Sequence, residues 1–222
     1  MHQTTAGSSS LTTAPILFLE LLSVLVTRPL QQQQLGMIPL LRRMLVRCDA
    51  PLTELCAGLI AEKVRINLYR LHAEFAPSYV LSGRVAERMQ RGEMACLLRL
   101  SGLGFVADNL HANWRTEPDP SGARADQISR WLAAHTEVQS GFIILGSVDT
   151  GADLPSSPLA GSSVMCPPTR GLTTPALNRA RMLLRRAAAP MGLATSAMPL
   201  RKATACRASP CKTQGASCCS EN

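Results

Sequence analysis

Apolar positions recur along most of the first 135 residues at spacings of three and four, the period of an amphipathic helix. Pro15 stands where a helix can start, and Leu19, Leu22 and Val26 continue its face as far as Pro29. Leu40, Leu41, Met44 and Leu45 line one side of a second segment, opposite Arg42, Arg43 and Arg47. Asp49 and Pro51 open the longest segment, in which Leu52, Leu55, Cys56, Leu59, Val64, Leu68 and Leu71 persist to about Phe75. Shorter helical patterns follow over about 82–90, stopped at Gly92, then from Glu93 through Leu100, across 105–114, and over about 126–135. The run Phe142-Ile-Ile-Leu-Gly-Ser-Val148 alone reads as a strand.

These elements predict an all-α fold, a compact bundle of about six short helices. Composition points the same way, because only 4% of the 222 residues are aromatic while Leu and Ala abound. The segments read as a flexible N-terminus over 1–13, a helical domain over 14–148, a Gly/Ser/Pro-rich linker over 149–173, and a disordered basic tail over 174–222 with one amphipathic helix and a Cys-rich end. The apolar run 16–26 carries Glu20, has no positive charge before it and is followed by Arg28-Pro29, so it reads as a core helix and not as a signal peptide. No stretch reaches the roughly 20 apolar residues of a membrane span.

Charge changes the picture at the C-terminal end. The formal net charge is +8, and residues 151–222 hold nine Lys/Arg against Asp153 and Glu221 alone. Within this tail, Leu177, Ala180, Leu184 and Ala187 form one helix face and Arg179, Arg181, Arg185 and Arg186 the other. Guanidinium groups suit phosphate, so these four arginines are the expected polyanion contacts, to RNA or DNA, or part of a nuclear address. Trp114 and Trp131 flank the Pro-rich loop 117–122 and are the candidates for partner binding, with core packing the commoner use of such residues.

One motif carries possible catalysis. Asp149-Thr150-Gly151-Ala152-Asp153, after apolar Ile143-Ile144-Leu145, resembles the active-site loop of retroviral-type aspartic proteases. The resemblance implies Asp149 as the catalytic carboxylate, one from each subunit of a dimer, on a β-barrel scaffold. A plain turn is the reading adopted, since Asp, Thr and Gly are ordinary loop formers. Cys218-Cys219 resembles the double-cysteine ends that are lipidated in small membrane-traffic GTPases, implying Cys218 and Cys219 as lipid-attachment sites of a peripheral membrane protein. The spacing of Cys206, Cys211, Cys218 and Cys219 does not reproduce paired zinc knuckles, and the four histidines do not fall at metal-ligand spacing, so neither metal nor cofactor is expected. The expected function is a non-catalytic adaptor or regulatory protein, nuclear or cytoplasmic and not secreted, whose helical domain binds a protein partner and whose tail touches a polyanion.

Overall fold

A computed structural model of the chain describes residues 14–25, 56, 58–118, 122–136, 138 and 141–188. They form an α/β fold with a five-stranded parallel sheet, where the sequence pattern predicts an all-α bundle. Chain order is β1 (Ile16–Glu20), a single π-helical turn (Leu21–Leu25), α1 (Glu62–Phe75), β2 (Ser78–Ser82), α2 (Arg84–Arg88), α3 (Arg91–Leu100), α4 (Gly104–Asp108), β3 (Leu110–Arg115), α5 (Arg124–Ala134), β4 (Phe142–Ser147), β5 (Ser163–Cys166) and α6 (Thr174–Ala188). The strand order is β3-β2-β1-β4-β5. The chain thus winds outward from β1 to β3, then returns to the other side of β1, as in doubly wound sheets.

The strands escape a helical or alternating pattern for a physical reason. Every residue of β1 is buried, as are four of the five in β2 and five of the six in β4. A parallel strand covered by helices on both faces reads as a continuous apolar run and loses the alternation that marks a half-exposed strand. Leu19 therefore belongs to a strand, and Leu110–Trp114 lies in β3 where the pattern continues a helix. Ser163–Cys166, within the expected linker, pairs in parallel with β4 as the edge strand, Ile144 opposite Ser163. Thr174–Ala188, expected as an amphipathic helix in an otherwise disordered tail, is a helix packed on the core, its Leu177, Ala180, Leu183 and Leu184 buried against the sheet and α1.

Two cores flank the sheet. Leu17 and Leu19 turn to one face, with Leu68 and Leu71 of α1, Leu97 and Leu98 of α3, and Leu184 of α6. Ile16 and Phe18 turn to the other, with Ile128 and Trp131 of α5 and Leu154. Phe18 meets Trp131 edge to face at 5.2 Å. Burying a Leu or Phe side chain stabilises by about 1.5–3 kcal/mol, so this two-sided packing outweighs any local helical preference of the strand sequences. The helix α1 stops at Ala76, which adopts a left-handed conformation (φ 43°), its N–H donating to the His72 carbonyl; Pro77 then leads into β2.

Candidate functional site

In a doubly wound sheet the crevice for ligands lies beyond the C-terminal ends of the strands, where the winding direction reverses. Here that place is the end of β1 and β4. The residues there are polar, although the strands leading to them are apolar: Glu20 ends β1, Ser82 ends β2 opposite it in register, and Ser147 ends β4. Alternation along β1 sends Glu20 to the face of Ile16 and Phe18, toward the start of α5. Arg124, the first residue of α5, meets it there.

The Arg124 Nη2 donates to Glu20 Oε1 at 2.9 Å, and the two side chains are only 10% and 7% exposed. The other carboxylate oxygen, Oε2, accepts a short hydrogen bond from the Thr150 hydroxyl. Arg124 Nη1 reaches Gln127 Oε1 at 3.4 Å, and the Thr116 hydroxyl donates to the same oxygen at 3.4 Å. Arg124 Nε is buried and without a hydrogen-bond partner. Ser82, Thr116, Gln127 and Ser147 are all buried as well.

Local backbone features hold this group in place. Gly83 follows β2 at φ 102°, and a Cβ there would stand 3.2 Å from Arg124 Nη2 and 3.7 Å from Glu20 Cγ; the bare backbone makes room for the ion pair. Past β4 the turn closes through Gly151 N–H to the Ser147 carbonyl at 2.9 Å. The Asp153 carboxylate accepts from Ala125 N–H at 2.6 Å and so occupies the positive N-terminus of α5. Beneath the site, burial and then the nearby Glu20 charge push the Cys166 thiol up to about 12.

The chemistry available follows from these partners. A helix N-terminus beside a switch point is ordinarily an anion cradle, but at α5 the chain supplies its own anion. Nor does β1 open into a glycine-rich phosphate turn: Leu21–Leu25 contains no glycine. Glu20 is a buried carboxylate with both oxygens engaged. Among the described residues, no group of three or more His, Cys, Asp or Glu could hold a metal ion, and no helix is long and apolar enough to cross a membrane.

The residues singled out from sequence are dispersed. Asp149 lies in the turn after β4 and is exposed, its N–H on the Ser147 hydroxyl at 3.3 Å. The turn thus reaches the switch point through Thr150, and it stands on a parallel sheet, not on the β-barrel implied by the protease resemblance. Trp114 and Trp131 are both buried, Trp114 in the α1 core and Trp131 in the α5 core, where its Nε1–H donates to the Asn113 carbonyl. Of the four arginines on α6, Arg181 and Arg185 each pair with Glu74 of α1 at 2.7 Å, and Arg179, Arg185 and Arg186 are exposed. Cys218 and Cys219 lie outside the described residues.

Glu20, Ser82, Thr116, Arg124, Gln127 and Ser147 are the site residues that periodicity misses. A signal for three of them exists: ILFLE, YVLS and IILGS each run from apolar residues into a polar one, which is how buried parallel strands deliver functional groups to one edge. Compared with known proteins, the chain matches no family model, no curated protein and no solved structure.

Proposed function

We propose that the chain is a non-catalytic binding protein, an adaptor or regulator, built on a doubly wound scaffold whose switch point is closed by its own side chains. The observation that carries this reading is the engagement of both Glu20 carboxylate oxygens, by Arg124 and Thr150, in a buried setting. A catalytic carboxylate at this place needs an oxygen that substrate or water can reach, and Glu20 is buried. Glu20 has its charge neutralised by Arg124 and its second oxygen covered by Thr150. The Asp153 carboxylate at the head of α5 fills the position where a substrate anion would sit. The same contacts join β1, α5 and the loop after β4, so they serve as a structural lock. Partner contacts then belong to the outer surfaces of the helices.

The test is turnover by the purified full chain of a generic phosphomonoester and a generic carboxylic ester, with and without magnesium, in the wild type and in Glu20→Gln. The reading expects no turnover that the substitution removes. A rate well above background that is lost in Glu20→Gln, with the protein still folded, overturns it.

A further inference from the structure

A second polar feature lies on the opposite face of the sheet, independent of the switch-point carboxylate. An open cavity of about 720 Å³ sits between the first turn of α1, the edge strand β5 and the first turn of α6. Lys63, Arg170 and Arg179 line it, with Ser163, Thr173 and Thr174, and among the described residues no carboxylate does. Its walls are held together: the buried Asn67, one turn along α1 from Lys63, donates from Nδ2 to the Leu172 carbonyl at 2.9 Å. That bond ties α1 to the loop entering α6, the segments that carry Lys63, Arg170 and Arg179.

Arg181 and Arg185 share the single Glu74 carboxylate, while Arg179 lines a cavity where the charged residues, among the described ones, are all cations. All three cations are exposed and so reach an anion entering from solvent. The volume falls in the ordinary range of small-molecule sites, about 300–1,000 Å³. Guanidinium forks from Arg170 and Arg179 suit a phosphate bidentately, Lys63 adds a point charge, and the threonine hydroxyls supply short neutral donors.

From this cavity and its charge we infer that the chain binds a small phosphate-bearing metabolite, of nucleotide or sugar-phosphate size, between α1, β5 and α6. The phosphate is held by Lys63, Arg170 and Arg179, and the rest of the molecule lies in the remaining volume. The site stands whether or not the switch point turns over any substrate.

Calorimetric titration of the full chain with pyrophosphate, ADP, adenosine and a 20-nucleotide uridine RNA tests it, in the wild type and in Arg170→Gln, Arg179→Gln and Arg186→Gln. Pyrophosphate and ADP are expected to bind and adenosine not to bind. Arg170→Gln and Arg179→Gln each weaken ADP binding about tenfold or more, and Arg186→Gln, outside the cavity, leaves it unchanged. Unaltered melting temperatures show that the losses are local. Absence of phosphate-dependent binding, or binding indifferent to Arg170 and Arg179, overturns the inference. Binding of the RNA through these residues without binding of pyrophosphate also overturns it, in favour of a polyanion surface.

Discussion

If Glu20 and Arg124 form a structural lock, removing either partner costs far more than removing both. In Arg124→Met, Glu20 keeps its place at 7% side-chain exposure and loses the guanidinium 2.9 Å away. A buried charge stripped of its partner costs about 3–5 kcal/mol, because the interior cannot replace the solvation the carboxylate gave up. Glu20→Leu leaves Arg124 in the mirror-image situation, with Nε already lacking a hydrogen-bond partner, and the same cost of about 3–5 kcal/mol is expected. The double variant Glu20→Leu/Arg124→Met replaces the pair by apolar side chains of similar size and is expected within about 2 kcal/mol of wild type, in either direction. The coupling energy is then about 4 kcal/mol or more. Urea unfolding followed by tryptophan fluorescence reads it, since Trp114 and Trp131 report from opposite faces of the sheet. Single variants within about 1 kcal/mol of wild type and an additive double variant would refute the reasoning, because a solvent-screened pair behaves in that way.

Three further outcomes are expected. Cys56 and Cys166 are buried, with thiols raised by burial, whereas Cys96 is exposed; peptide mapping after iodoacetamide at pH 8 should find Cys96 alkylated at once and the other two only on unfolding. Glu74 is held below the usual carboxylate range, chiefly by its hydrogen bond from Arg185 with Arg181 assisting. Its contribution is thus present above its unfolded value and lost as pH falls through the lowered one, and Glu74→Gln should cost about 0.5–1 kcal/mol at pH 7 and flatten the acid side of a stability-against-pH curve. Gly83→Ala forces a Cβ into a left-handed backbone position against Arg124, and a loss of about 1–3 kcal/mol in urea unfolding is expected.

How much of this was legible in the sequence depends on which faces an element covers. Segments with one exposed face announced themselves: α5 shows Ile128 and Trp131 against Asp126 and Arg130, and it lies over Arg124–Ala134 beside an expectation of about 126–135. β1 and β2 did not, because a strand buried on both sides has no polar face to set its period. The same ambiguity made Glu20 look like an interruption of a core helix, when it is the polar end of a strand. Arg124 was harder still, since it is 104 positions from Glu20 in sequence and only the crossover of a parallel sheet joins them. The arginine face of α6 was visible as a pattern, but its division into Arg181 and Arg185 on Glu74 and Arg179 at the cavity depends on α1 and β5 lying alongside.

The closed switch point is tested most directly by the side-chain N–H signals of Arg124 in a nitrogen-15 spectrum, assigned by their loss in Arg124→Met. The account predicts that they exchange slowly with solvent in the wild type and that exchange quickens in Glu20→Gln, where the charge partner is gone. Signals that exchange as fast in the wild type as those of the exposed Arg186 would contradict it, for the guanidinium would then stand open to solvent and to ligand.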